Sequence, residues 1–279
     1  MSGDMDNGAL SRELAAGIEF FRRPATRGGR AMVLLHGIGS NAHSFAPLMA
    51  ALPPSFAAVA WNAPGYGGSR PLAASSPTPR QYADTLNAAL DALGITKMVL
   101  VGHSLGSLFA ASFAAAYPAR VSALALLSPA LGYQVPAGEP LPAGVQARID
   151  ELNALGPAAF SDKRAARLVG DVLGKPHVLA AVRRAMAAVD PSGYAQAVRA
   201  LGAGDLLADA ATISIPALVA VGSKDVITPP PNAHAARDAF RHGAAFHEIE
   251  SAGHALQQEE PAAIAALLTG FAQEHADVR

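Results

Sequence analysis

The chain has 279 residues, of which 51% are hydrophobic and 15% charged, and its formal net charge is -1. Such a composition suits a globular protein with an ample core, and so small a net charge gives no electrostatic reason to expect nucleic acid or an acidic membrane as partner. There is no cysteine, which excludes disulfides, thiol nucleophiles and cysteine-ligated zinc.

Met1 to about Ser11 reads as disordered, and Met1 to Arg12 is acidic and polar without the apolar stretch of a signal peptide, so a cytoplasmic location is expected. No run approaches the roughly 18 apolar residues of a membrane span. Gly17–Arg23 reads as a first strand, placed at the sheet edge by its charges. Ala31–Leu35 is an apolar run suited to a buried parallel strand, and it ends in His36-Gly37-Ile38-Gly39. The glycines of that loop let backbone N–H groups approach a ligand closely. An ordinary glycine-rich turn is the plainer alternative.

Ser44–Leu52 reads as a short helix and Phe56–Trp61 as the next strand, followed by the loop Asn62–Ser69. Because that loop opens no helix directly, its glycines are not a dinucleotide fingerprint. Arg80–Leu93 has a helical apolar period ended by Gly94. The apolar run Lys97–Val101 then leads through Gly102-His103-Ser104-Leu105-Gly106 into the alanine-rich helix from Leu108. That is a G-x-S-x-G motif at a strand-to-helix corner, where an abrupt turn exposes the central serine. Alternatively, Ser104 merely caps a helix.

Val121–Leu127 is a further strand, and strands alternating with helices in this rhythm imply a parallel sheet with right-handed crossovers. From about Ala130 to Thr212 the rhythm breaks into helical patterns. The stripes Val145/Ile149/Leu152, Leu168/Val172/Leu173 and Val178/Leu179/Val182/Met186/Val189 read as core-facing helix surfaces. Strand and helix resume with Ile215–Val221, Asn232–Phe240, Ala245–Glu250 and Glu260–Glu274. Residues 1–129 and 213–279 are thus the expected core domain, and 130–212 an insertion.

Functional groups of open parallel sheets gather beyond the carboxyl ends of the strands. Gly37, Ser104, Asp225 and His254 all meet that condition, and the chain order Ser, Asp, His matches a nucleophile, an orienting acid and a base. Asp205 and Asp209 compete for the acid, but neither follows a strand. Ser104 is the expected nucleophile, His254 the base and Asp225 its orienter, with the N–H groups of Leu105 and Ile38 as oxyanion donors. His36, Gly37, Gly39 and His103 support the loops, while His43, Phe45, Tyr133 and Tyr194 are expected at the substrate pocket. No histidine and carboxylate spacing suggests a metal, and no cofactor is implied.

The five ordered segments His36–Gly39, Asn62–Ser69, Gly102–Gly106, Gly222–Asp225 and Gly253-His254 with Glu260-Pro261 resemble the α/β-hydrolase superfamily. The resemblance implies an α/β-hydrolase fold: a mostly parallel eight-stranded sheet, helices on both faces, and a helical cap inserted after the sixth strand. The text Val189–Tyr194 followed by Asp205-Leu206 is similar to the 3-oxoadipate enol-lactonase group, and meta-cleavage product hydrolases are similar as well. Ser107, Asn62 and Phe45 depart from the usual glycine, aspartate and tryptophan. The expected activity is hydrolysis of a small ester or lactone through an acyl-enzyme. The alternatives are carbon–carbon hydrolysis of a dienol 2-oxo acid, and a non-catalytic receptor on the same fold. A dienol 2-oxo acid requires a cationic or polar subsite, for which Arg148, Arg164, Arg167, Arg183 and Arg184 are available, each read first as a solvated helix face. A small molecule is the expected partner, and a homodimer is left open.

Overall fold

Strands that are apolar at nearly every position are buried only when both faces of their sheet are covered. The computed structural model describes residues 10–26, 29–136 and 139–275. Eight strands form one sheet: β1 (Ser11–Ala15), β2 (Ile18–Arg23), β3 (Arg30–Leu35), β4 (Phe56–Trp61), β5 (Met98–His103), β6 (Val121–Leu127), β7 (Ala217–Gly222) and β8 (Ala245–Ile249). Their spatial order is β1-β2-β4-β3-β5-β6-β7-β8. The β1/β2 and β2/β4 pairs are antiparallel and the others parallel.

Gly17–Arg23 is therefore not the edge strand. β1 lies outside β2, and the charges that suggested an edge are met by this neighbour: Arg22 pairs with Glu13 at 2.5 Å, and Arg12 pairs with Glu19. Disorder expected to about Ser11 thus gives way to a strand that begins there, and residues 1–9 lie outside the described residues.

The helices are α1 (Ala46–Ala51), α2 (Pro79–Ala92), α3 (Leu105–Ala116), α4 (Ala143–Arg164), α5 (Pro176–Ala187), α6 (Pro191–Ala203), α7 (Leu206–Thr212), α8 (Pro230–Ala239), α9 (Leu256–Glu259) and α10 (Pro261–Glu274). Alternation along each strand serves both faces of the sheet. Val33 and Leu35 of β3 enter a core with Tyr82 and Leu86 of α2 and Phe109 and Phe113 of α3. Met32 and Leu34 enter another with Leu48 of α1 and Ile264, Leu268 and Phe271 of α10. Each fully buried aliphatic or aromatic side chain contributes about 1.5–3 kcal/mol, so the sheet is a stiff platform for the loops at its ends.

Helices α4 to α7 lie between β6 and β7. α4 is two helical pieces meeting at Gly156, whose φ of 73° precedes Pro157. Val145, Ile149 and Leu152 are buried on its first piece, and Val178, Val182 and Met186 on α5. The expected stripe Leu168/Val172/Leu173 is no helix face. Gly170, Gly174 and Pro176 punctuate that stretch into turns, and Leu173 is 93% exposed. Among the described residues, no helix is long and apolar enough to cross a membrane.

Candidate active site

β5 runs straight into α3, leaving one residue to reverse the chain, and that residue is Ser104. Its φ of 55° and ψ of -118° are costly for a residue with a side chain. The flanking glycines make the turn possible. A Cβ on Gly102 would lie 2.4 Å from the carbonyl oxygen of Gly106, and one on Gly106 would lie 2.1 Å from that of Leu35. Ser107, in place of the more usual glycine, donates its hydroxyl to the Gly102 carbonyl at 3.0 Å. The corner is held by Ser104 N–H donating to Leu127 O (2.9 Å) and Ala130 N–H donating to Ser104 O (3.2 Å). Ser104 does not cap α3 through its side chain. Its hydroxyl is instead at a cavity of about 320 Å³, without a hydrogen bond to any described residue, His254 included.

Asp225 follows β7 and His254 follows β8, each in a tight turn. The Asp225 carboxylate accepts from Ile227 N–H (2.8 Å) and Thr228 N–H (3.0 Å) at Oδ1, and faces His254 Nδ1 at 2.8 Å with Oδ2. Burial opposes its ionisation. The hydrogen bond and charge of His254, with the Thr228 backbone N–H, outweigh that and bring its pKa down to about 2. An ionised Asp225 accepts the Nδ1 proton, so that a neutral His254 imidazole has its lone pair on Nε2. Thr228 completes the turn. Its hydroxyl lies 2.9 Å from Ser128 O, 3.0 Å from Asp225 Oδ2 and 3.2 Å from His254 Nδ1, and its one proton serves a single acceptor at a time. A hydroxyl three residues beyond an aspartate carries no sequence signal of its own, and the sequence reading did not single it out.

The two motif histidines are buried and neutral. Burial lowers His36 to about 4; its Nδ1–H donates to Gly37 O at 2.8 Å and its Nε2 accepts from Ala63 N–H at 3.0 Å. Burial, with repulsion from His254, lowers His103 to about 3, and its Nε2 donates to the His254 carbonyl at 2.8 Å. Behind His254, Glu259 accepts from Gly253 N–H at Oε1 (2.8 Å) and from Gly170 N–H, in the insertion, at Oε2 (2.9 Å).

Gly37 packs against the elbow so closely that a Cβ there would lie 2.7 Å from that of Ser104. The N–H groups of Ile38 and Leu105 donate to no described residue, so both are free for a ligand.

The cavity lies between the sheet end and the insertion. Ile38, Gly39, Ser104, Thr228 and His254 form its floor, and Tyr133, Phe160, Leu168, Met186, Tyr194 and Leu201 its opposite wall. Of the four residues expected at the pocket, Tyr133 and Tyr194 are there. His43 and Phe45 are not. The short 3₁₀ turn Ala42–Phe45 sends Phe45, fully buried, into the core beneath the sheet, and places the His43 ring 4.1 Å from that of Phe21. Proximity to the glycine loop in sequence suggested the mouth, but the turn rotates both side chains away. The solvated reading of the arginines needs correction at two of the five: Arg148 and Arg164 are half-buried on the cavity wall, Arg167 is exposed and also lines the cavity, and Arg183 and Arg184 on α5 are exposed outside it. Asp205 caps α7 by accepting from Ala208 N–H at 3.0 Å, and so does not compete with Asp225. Among the described residues, no group of three or more histidines and carboxylates could hold a metal ion.

A mostly parallel eight-stranded sheet with a strained serine at the end of its fifth strand defines an α/β-hydrolase fold. The family model described as alpha/beta hydrolase fold matches residues 30–261, and the chain belongs to that family. It is similar in structure to the enol-lactonase from Burkholderia xenovorans LB400, at 25% identity and a TM-score of 0.83, covering 94% of this chain and 100% of that one. A thermophilic esterase from Thermogutta terrifontis has the same fold, at 23% identity and a TM-score of 0.83, covering 95% and 99%. In sequence, the chain is 31% identical over 137 residues to a 2-hydroxy-6-oxononadienedioate/2-hydroxy-6-oxononatrienedioate hydrolase of Dechloromonas aromatica. That match takes in 47% of this chain and 43% of the relative, so the chain spans less than half of that curated protein's length.

Proposed function

We propose that this chain is a serine hydrolase acting on a small carboxylic ester or lactone. The observation that carries the reading is the Asp225–His254 pair, held at 2.8 Å, opening with a strained Ser104 on one cavity. In this reading Ser104 Oγ attacks the carbonyl carbon as His254 Nε2 takes its proton, and Asp225 holds the imidazole tautomer and stabilises the imidazolium. The N–H groups of Ile38 and Leu105 receive the oxyanion. Collapse of the tetrahedral species passes the proton from His254 to the leaving oxygen, and water then repeats the sequence on the acyl-enzyme. The absent Ser104–His254 hydrogen bond is compatible with this, since such bonds often tighten only when substrate binds. Residues 130–212 act as a cap over the cavity.

A second reading is carbon–carbon hydrolysis of a dienol 2-oxo acid, supported by the arginines of the cavity and by the partial match to the Dechloromonas aromatica hydrolase. A non-catalytic receptor has no use for an orienting carboxylate, a histidine and a strained serine together. A fluorophosphonate probe is expected to add its mass to Ser104, and an unlabelled protein favours the receptor. A panel of p-nitrophenyl esters, simple lactones and a meta-cleavage dienol, with Ser104→Ala as blank, separates the two hydrolase readings. The expected result is faster ester or lactone turnover. A dienol turned over at least a hundredfold better than every ester and lactone overturns the choice, because an apolar pocket contact discriminates only about 10- to 200-fold.

A further inference from the structure

The cavity has a polarity across it. Its floor carries a serine and a histidine, while the insertion contributes three arginines, Arg148 and Arg164 from α4 and Arg167 from the turn after it. Among the described residues, no aspartate or glutamate lines it. Guanidinium groups are permanent cations at neutral pH, and grouping three around one cavity is unfavourable unless anions or water balance them.

One of the three is balanced. Arg164 donates from Nε to Glu151 Oε2 at 2.6 Å and lies over the Phe160 ring at 4.8 Å, with Glu151 also taking Lys163 at 2.5 Å. Glu151 is thus shared between two cations. Arg148, half-buried, and Arg167, exposed at the cavity edge of the turn, have no carboxylate partner and make no side-chain hydrogen bond among the described residues. The same field is felt at Tyr194, whose hydroxyl is pushed up by burial and pulled back by Arg148 and Arg164. On α5, Arg183 lies 3.7 Å from Asp162, and neither it nor Arg184 lines the cavity. Two cations without partners therefore face the cavity that holds Ser104.

We propose that Arg148 and Arg167 form a carboxylate-binding subsite, and that the substrate is a short acyl compound carrying a free carboxylate remote from its scissile carbonyl. This rests on the hydrolase reading and narrows it. The fork of N–H donors on a guanidinium matches a carboxylate in two-point contact. Phe160, Leu168, Met186 and Leu201 supply an apolar sleeve for the few carbons between the two ends. Arg164, held by Glu151, contributes charge and leaves its donors engaged.

The test compares substrates that differ only in that charge. Wild-type protein is expected to hydrolyse mono-p-nitrophenyl glutarate with kcat/KM at least tenfold above p-nitrophenyl butyrate, and salt is expected to narrow the gap. Arg148→Gln and Arg167→Gln should each lower the ratio several-fold, mainly through KM, and the double variant should bring it close to one. Arg148→Lys should recover part of it. Arg184→Gln, outside the cavity, should leave both activities alone. Binding is read independently of catalysis on Ser104→Ala protein by calorimetry, where monomethyl glutarate should bind at least tenfold more tightly than dimethyl glutarate. Equal binding of the acid and the diester overturns the subsite, whatever the turnover. Preserved preference in that assay with no fluorophosphonate labelling of Ser104 upholds the subsite and rejects the hydrolase reading.

Discussion

The floor and the opposite wall of the cavity are built by different means. On the floor, positions are set by backbone: a serine with φ of 55°, a glycine loop against it, and turns beyond β7 and β8 that present Asp225 and His254. On the wall, positions are set by helix faces, where Arg148 reaches the cavity from the same helix that buries Val145 and Ile149 in the core. A floor made of strained turns tolerates little change, whereas a wall made of side chains on helices can alter its chemistry while keeping its shape. On this view the reaction belongs to the floor and the choice of substrate to the wall.

The largest expected effect tests the floor. Ser104→Ala should lower kcat on the best substrate by about a thousandfold or more, with the thermal midpoint held or raised because the attacking oxygen is lost without loss of packing. Near-wild-type turnover in the purified variant removes the floor from the chemistry. A smaller effect separates backbone from side chain within it. Gly37→Val places a Cβ 2.7 Å from that of Ser104 and should cost about tenfold or more in kcat, the scale of one misplaced oxyanion donor, while Ile38→Val should change it less than about twofold. The reverse ranking places the contribution of that loop in its side chains.

The smallest effect concerns stability. His36 and His103 are held neutral at about 4 and about 3, below the ordinary 6.5, so as pH falls below 6.5 the unfolded chain takes up protons that the native protein refuses. Stability is therefore whole above pH 6.5 and declines as pH falls, each histidine adding a slope of up to about 1.4 kcal/mol per pH unit until its native pKa is reached. Asp225, lowered from 3.8 to about 2, adds a further loss below pH 4. Urea midpoints recorded from pH 7.5 to 4.5 should fall, and less steeply in His36→Gln. A flat profile contradicts the buried, neutral floor.

How much could be read in advance follows the same division. The corner at Ser104 was legible because only glycine fits at 102 and 106, and a residue that only glycine can occupy marks its place in a sequence. The turns at Asp225 and His254 were legible from their position just past strands. Edge strand β1 was not, since its Ser11–Ala15 text is polar and pairs through charges that resemble a solvated tail. Nor was the orientation of Phe45, which one tight turn sends to the far side of the sheet. The arginines illustrate the hardest case: Arg148 and Arg164 of α4 line the cavity and Arg183 and Arg184 of α5 face solvent, and only the packing of the insertion against the core tells them apart.

Glu259 joins the two halves of this comparison, because one carboxylate accepts both the N–H beside His254 and the N–H of Gly170 in the insertion. Lifting the insertion at this point would orphan a part-buried donor and half-strip a buried acid, at a cost of up to about 1–3 kcal/mol per group. This side of the cavity is therefore tied to the core. Among the large apolar side chains lining the cavity, Tyr133 and Val226 stand most open to water, 46% and 60% exposed, and neither takes part in that tie.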